Sequence, residues 1–399
     1  MMKQSNPRIR FKEFNNKWGN YKLGQFGTFK SGIGFPDSQQ GGTEGIPFFK
    51  VSDMNNIGNE TEMKTANNYV TQEQIVKNSW NVIKDTPAII FAKVGAALML
   101  NRKRLVTKPF LIDNNTMSYS LNKSWDKDFG LTLFHTIDLP KYAQIGALPS
   151  YNASDIATIK VNVPSIQEQS AIGSLFHTLD DLLVSYKDNF ANFQSLKVAM
   201  LYKMFPKAGQ TVPEIRLDGF EGEWEEKQFS KLVKRVTKSS DSDSLPKVEF
   251  EDIISGQGRL NKDISSKFDN RKGIHFKPGY TLYGKLRPYL NNWLLPKFEG
   301  VALGDFWVFD PNGNNSDFIY YLVQSSRYQK VANDTSGTKM PRSDWKSVST
   351  TIFAIPQTIA EQQAIGAYFS NLDNLINSYQ EKISQLETLK KKLLQDMFI

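Results

Sequence analysis

Residues Ile166–Gly173 read IQEQSAIG and residues Ile359–Gly366 read IAEQQAIG, nearly the same eight residues written twice, 193 positions apart. At that offset the agreement continues, pairing Phe176 with Phe369, Leu179 with Leu372, Asp180 with Asp373, Ser185-Tyr186 with Ser378-Tyr379, Leu196-Lys197 with Leu389-Lys390, and Met204-Phe205 with Met397-Phe398. Each copy follows a strand-like run that ends in proline, TIKVNVP or TTIFAIP. Each opens with a capping-box pattern, Ser165-x-x-Glu168 or Thr358-x-x-Glu361, which suits the unpaired N–H groups of a helix start. No proline follows before Pro206 in the first copy, and none follows in the second. The pattern predicts two helices of about 40 residues, each roughly 60 Å long.

Apolar residues in both copies recur at alternating steps of four and three. The first seam is Ile172, Phe176, Leu179, Leu183, Tyr186, Phe190 and Phe193; the second is Ile365, Phe369, Leu372, Ile376, Tyr379, Ile383 and Leu386. Both then break with a lysine, Lys197 or Lys390, before resuming at Met200 and Met204 or Leu393 and Met397. This is heptad spacing. A long helix with one narrow apolar stripe needs a partner for it, and the simplest partner for each copy is the other. Ordinary amphipathic helices inside two domains are the plainer reading, but the shared register and length argue against it.

Two weaker repeats frame the helices. PRIRFKEFNNKW begins at Pro7 and PEIRLDGFEGEW at Pro213, sharing Pro, Ile, Arg, Phe and Trp. GALPSYNASDIATIKVNVP precedes the first helix and GTKMPRSDWKSVSTTIFAIP the second. Between these anchors the sequence diverges, so the chain reads as variable globe, helix, variable globe, helix. At 399 residues with 40% hydrophobic and 12% aromatic content, it can build more than one packed core. β-rich runs such as TPAIIFAKV, YTLYGKL and DFWVFD alternate with turns and helical stretches, which predicts mixed α/β (α+β) globes.

The net charge is +8, and its distribution is uneven. Residues 1–163 carry 20 Lys+Arg against 13 Asp+Glu, and residues 207–354 carry 22 against 19; residues 164–206 and 355–399 are each at −1. The positive excess therefore lies in the two globes and favours a polyanionic partner such as nucleic acid. The absence of cysteine excludes disulfides and thiolate chemistry and suits a cytoplasmic location. No apolar run reaches the ~20 residues of a membrane span; PAIIFAKVGAALML is interrupted by Lys93, and the N-terminal residues lack the apolar centre of a secretory signal.

Taken in this order, the paired EQ-x-AIG helix starts, the IRF/IRL…W openings, LYGKLRPYL and the SGTKMP…SDWKSVSTTIFAIP…EQ run resemble the specificity subunit of a type I restriction–modification system, across essentially the whole chain. The resemblance implies two target recognition domains, residues 1–163 and 207–354. They are joined by two long antiparallel coiled-coil helices, residues 164–206 and 355–399, in a pseudo-twofold internal repeat. Each domain then reads one half of a bipartite site in double-stranded DNA, and the helices act as spacer and dock. The implied partners are two methyltransferase subunits, which carry S-adenosylmethionine and methylate adenine N6, and restriction/translocase subunits using ATP and Mg²⁺. The resemblance implies no cofactor on this chain itself. Sites on one DNA face recur every ~34 Å, so the helix length is expected to set the gap between half-sites.

Catalytic signatures are missing from the sequence. There is no Pro-Pro, which the Asp/Asn-Pro-Pro-aromatic motif of an amino-methyltransferase requires, and no Gly-x-x-x-x-Gly-Lys-Ser/Thr phosphate loop. His135, His177 and His275 stand at no metal-ligand spacing. The expectation is a non-catalytic DNA-recognition subunit with no metal site. A stand-alone DNA-binding regulator with a coiled-coil spacer is the alternative, and an orphan methyltransferase or nuclease is a third reading that the missing motifs disfavour.

Base reading favours Arg, Lys, Asn and Gln, and phosphate contacts favour cations and small polar groups. In the first globe the candidates are Lys93, Asn101, Arg102, Lys103 and Arg104 of the basic run NRKR, and Tyr151 and Asn152 of LPSYNASD. In the second they are Lys285, Arg287, Tyr289, Asn291 and Asn292 of YGKLRPYLNNW, with Lys339 and Arg342 of SGTKMPRSDW. A solvated basic turn, or a loop held by its own Arg287 and Tyr289, would give the same patterns. Between the two globes only Lys93 finds a matching lysine in Lys285.

Overall fold

The computed structural model describes residues 7–144, 148–268, 270–334 and 340–398. The chain forms two compact units, Met1–Lys187 with Glu381–Ile399, and Asp188–Gln380. The two long helices run Ile166–Lys203 and Ile359–Asp396, 38 residues each, so each unit contains part of both.

In the first unit the strands are β1 (Gly19–Lys22), β2 (Gly27–Ser31), β3 (Ile46–Phe49), β4 (Tyr69–Val70), β5 (Ala88–Ala92), β6 (Lys103–Val106), β7 (Leu111–Ile112), β8 (Thr116–Leu121) and β9 (Lys160–Val163). Strands β2-β8-β5-β6 form an antiparallel sheet, β4-β3-β7 a second sheet whose β3/β7 pair is parallel, and β1 pairs with β9. Strand β5, AIIFA, is buried along its whole length, as expected for a central strand covered on both faces. Its alternation divides the core. Ile89 and Phe91 join Met117 and Tyr119 on one face, and Ala88 and Ile90 join Phe49, Val106 and Phe110 on the other.

The second unit repeats this plan from a different sequence. Its strands are β10 (Glu225–Gln228), β11 (Lys234–Val236), β12 (Ser239–Ser240), β13 (Lys247–Val248), β14 (Ile253–Ile254), β15 (Arg259–Leu260), β16 (Gly273–Phe276), β17 (Thr281–Gly284), β18 (Trp293–Leu294), β19 (Gly300–Ala302), β20 (Phe306–Asp310) and β21 (Ile352–Ile355). Order β11-β20-β17-β18 matches β2-β8-β5-β6; the parallel β13/β19 pair matches β3/β7; and β10/β21 matches β1/β9. Tyr283, Trp293, Trp307 and Phe309 fill one face of the larger sheet, and Leu282, Leu294, Phe306 and Val308 the other.

In each unit one of these cores continues into the helices. In the first, Ile172, Phe176, Leu179 and Met397 belong to the core that holds Phe91 and Tyr119. In the second, Ile365, Phe369, Met204 and Phe205 belong to the core that holds Tyr283 and Phe309. Each such side chain contributes about 1.5–3 kcal/mol on burial. The helices run antiparallel within each unit, because contacts rise along one helix as they fall along the other. In the first unit the rings of Phe176 and Phe398 stand 6.0 Å apart, Asp180 pairs with Lys390, and Lys187 pairs with Glu387 at 2.7 Å. In the second, Phe193 meets Tyr379 at 5.4 Å, Lys197 pairs with Asp373 at 2.6 Å, and Phe205 meets Phe369 at 6.0 Å. All fourteen expected seam residues are buried or half-buried. The lysines that break the heptads, Lys197 and Lys390, are the cations of these two equivalent seam ion pairs.

Candidate nucleic-acid interface

The duplicated EQ-x-AIG segment proves to be a fastening for the globes. The capping pattern half forms as expected: Ser165 Oγ accepts from Glu168 N–H at 3.4 Å and Thr358 Oγ1 from Glu361 N–H at 3.3 Å. The carboxylates, however, turn to the IR…W segments. Arg10 donates to Glu168 through Nε and Nη2 at 2.7 and 2.8 Å, and Trp18 Nε1 donates to it at 3.2 Å. Arg216 donates to Glu361 at 2.7 and 2.9 Å, and Trp224 Nε1 at 3.0 Å. Each is a bidentate, charge-assisted pair, which raises the pKa of the arginine through the hydrogen bond to its glutamate. The buried glutamines complete the fastening. Gln169 accepts from Asp126 N–H and donates to the carbonyls of Ser124 and Pro164; Gln362 accepts from Asn315 N–H and donates to Asn314 and Pro356. Asp126 and Asn315 are the N-caps of helices Lys127–Thr136 and Ser316–Leu322, one in each globe. These caps lie over Gly173 and Gly366, where an added Cβ would stand 2.5 Å from Asp126 Oδ1 or 2.9 Å from Asn315 Oδ1.

At the end of β5 and of β17, two divergent loops share one backbone scheme. Val94 bridges to Ser150, and Leu286 to Arg342. Gly95 N–H donates to Pro149 O at 2.9 Å, and Arg287 N–H to Pro341 O at 2.7 Å; Tyr151 N–H donates to Lys93 O, and Ser343 N–H to Lys285 O. Each loop then makes one helical turn, closed by Asn101 (φ 52°) or Asn291 (φ 54°). Lys93 is therefore the counterpart of Lys285, and Gly95 (φ 76°) that of Arg287 (φ 49°). Left-handed backbone is strained for a non-glycine residue, and such strain concentrates at functional sites.

The candidate residues separate on this frame. Arg287 and Tyr289 are exposed, and among the described residues Arg287 has no ion-pair partner. Arg342 and Lys285 share Asp305, at 3.0 and 3.6 Å. Lys93 is half-buried, and Asn152 is exposed at the start of a short helix. Lys339 lies outside the described residues.

Lys103, Tyr151 and Asn292 are corrected: they are 1%, 3% and 7% exposed, so their side chains face the protein rather than a duplex. The run NRKR is no solvated strip, because β5 pairs with β6 and seats Lys103 opposite Phe91. Lys103 Nζ donates to Asn101 Oδ1 at 2.6 Å and Ile137 O at 2.7 Å, and burial pushes its pKa down to about 7. Arg104 donates to the carbonyls of Lys103 and Met54, Arg102 donates to Asn55, and Asn101 holds Leu139 N–H and Ile137 O. Asn291 serves its loop through its backbone, accepting from Gly256 N–H.

Apart from Tyr289, a candidate already, sequence reasoning missed the apolar tips of these loops. Met99, Leu100 and Leu148 in the first globe are 59%, 58% and 61% exposed, and Met340 in the second is 50% exposed beside Tyr289 at 57%. The one available signal was AALML directly after Gly95, which by composition reads as core. Among the described residues no group of three or more His, Asp or Glu side chains gathers as for a metal, and no helix is long and apolar enough to cross a membrane.

No curated protein sequence matches the chain. Among solved structures it is similar to the type I restriction–modification S subunit from M. genitalium. The TM-score is 0.61 and the identity 13%, over 99% of each chain. It is also similar to a chain from a structure concerned with complex assembly and conformational transition of the type I R-M system, with TM-score 0.52 and 12% identity over 94% of this chain and 96% of that one. At these identities the likeness concerns the fold. The family described as type I restriction modification DNA specificity domain matches twice, over residues 15–189 and 223–388. Those two stretches include both Arg/Glu/Trp fastenings except Arg10 and Arg216, and both clamped loops. The duplicated fold and the duplicated family match agree: this chain belongs to the type I restriction–modification DNA specificity family and recognises DNA sequence through two domains.

Proposed function

We propose that the chain is the specificity subunit of a type I restriction–modification enzyme and is itself non-catalytic. Each globe reads one half of a bipartite site in double-stranded DNA. The helices dock two methyltransferase subunits, which bring S-adenosylmethionine and methylate adenine at N6. Restriction/translocase subunits bring ATP and Mg²⁺ when cleavage follows. The observation that carries this reading is the pairing of a repeated fastening with a divergent loop, present twice. Arg10/Glu168/Trp18 and Arg216/Glu361/Trp224 are alike, while VGAALMLN and LRPYLN occupy the same clamped loop with different side chains. A subunit that reads two unlike half-sites from one scaffold needs that division.

The test is modified-base sequencing of DNA from cells expressing the chain with its methyltransferase, beside cells lacking the chain. A new two-part N6-methyladenine motif with a fixed gap is expected. Its absence, with methyltransferase activity and soluble chain verified, would refute the methylation-targeting reading.

A further inference from the structure

The exposed apolar tips occur at the same backbone position in both globes. In each, the loop after the buried central strand and the segment ending in proline are tied together by the same hydrogen bonds. Leu148 and Met340 directly precede the tying prolines, Pro149 and Pro341. Met99 and Leu100, or Tyr289 and Leu290, fall within or beside the turn that Asn101 or Asn291 closes. A clamp of this kind fixes the tip's backbone, so exposure costs little flexibility while the apolar surface stays in water. The surroundings are cationic. Among the described residues Lys93 and Arg287 have no ion-pair partner, Arg287 is exposed, and Lys285 and Arg342 share one carboxylate, Asp305.

We propose that the two tips are wedges that enter the base stack of duplex DNA, one in each half of the bound site. Met99 and Leu100 enter from the first globe, and Tyr289 from the second. Apolar side chains cannot read base edges through hydrogen bonds. On DNA they insert between base steps and unstack them, or stack on a base face. The flanking cations supply the phosphate contacts that hold such an insertion in register, and they favour a polyanion over an apolar protein surface. The proposal rests on the specificity reading and adds a mode of contact to it.

The experiment uses the full chain in complex with its methyltransferase and the duplex identified by methylation sequencing. A single mismatch is moved step by step through the site. A mismatch lowers the cost of unstacking, so wild type should bind more tightly at the wedged step, by roughly tenfold for one unstacked position. Tyr289→Ser should lose that preference in one half-site and Tyr289→Phe should keep it; Met99→Ser with Leu100→Ser should lose it in the other half. Any gain from extrusion of the methylated adenine is unaffected by these variants and subtracts out. Identical mismatch profiles for wild type and serine variants would overturn the wedge and leave the specificity reading standing. Unchanged DNA binding with loss of methyltransferase from the complex would overturn it in favour of a protein contact. If wild type shows no preference for the duplex at all, the specificity reading fails, and the wedge with it.

Discussion

Replacing Glu361 by alanine tests the fastening of the second globe. Glu361 is almost fully buried, and its carboxylate takes two bonds from Arg216 and one from Trp224. Without it, an arginine side chain that is only 16% exposed keeps, among the described residues, the carbonyls of Glu221 and Gly222. Removing one partner of a buried pair costs about 3–5 kcal/mol, mostly because the other charge is left uncompensated. A domain is stable by only ~5–15 kcal/mol, so the loss is large. Because the chain has two units, a single unfolding midpoint is ill-defined, and hydrogen exchange resolved by peptide is the better assay. Peptides from residues 207–354 should lose protection in Glu361→Ala, while those from residues 19–121 stay as in wild type. Glu168→Ala should give the reverse. Arg216→Ala with Glu361→Ala should cost clearly less than the sum of the singles, since no lone charge remains. A Glu361→Ala cost below about 1 kcal/mol, the range of a solvent-exposed pair, or strict additivity in the double variant, would refute the reasoning.

Three further outcomes follow from the same geometry. Lys197→Met strands the seam carboxylate of Asp373, leaving it only the hydroxyl of Tyr321 at 2.9 Å, and should destabilise the second unit by about 3 kcal/mol; adding Asp373→Leu should recover most of that loss in a urea titration. Gly173→Ala should cost more than Gly366→Ala, because its Cβ meets Phe129 N at 2.6 Å where the other meets Phe318 N at 3.1 Å; crowding of about 1–3 kcal/mol then outweighs the ~1 kcal/mol that alanine gains in a helix, as thermal unfolding of the two variants would report. Lys103, with its folded pKa near 7 against an ordinary 10.5, is neutral in the fold where the unfolded chain still binds a proton. Its contribution to stability therefore rises with pH between about 7 and 10.5, and Lys103→Met should flatten that slope in denaturant titrations.

The helices were legible because their signals are local and repeated. Four-three spacing, a capping pattern and a matching second copy locate Ile166 and Ile359 as helix starts within one chain. The partners of Glu168 and Glu361 were not legible, although the repeated IR…W segments that supply them stand plainly in the sequence. The capping pattern offered each glutamate a neighbour three residues away, whereas the fold gives it an arginine 158 or 145 residues distant. The basic run misled for a similar reason. Composition shows four polar residues at 101–104, but which of them faces outward depends on the β5/β6 register, and that register is set by pairing across the sheet. Strand order was out of reach on the same ground.

The equivalence of Gly95 and Arg287 shows how such a scaffold can vary its loops. What holds the two loops is backbone: a bridge at Val94 or Leu286 and N–H groups given to Pro149, Pro341, Lys93 and Lys285. Backbone bonds place few demands on side chains, so the same clamp accepts glycine in one globe and a left-handed arginine in the other. Side-chain identity is instead held fixed where side chains bear the load, at Arg10, Trp18, Glu168, Gln169 and their second copies. Substitutions at the tips should therefore change which DNA is bound without loosening the globes from their helices. Substitutions at the fastening should do the opposite, weakening the fold while leaving the choice of sequence in any surviving complex unchanged.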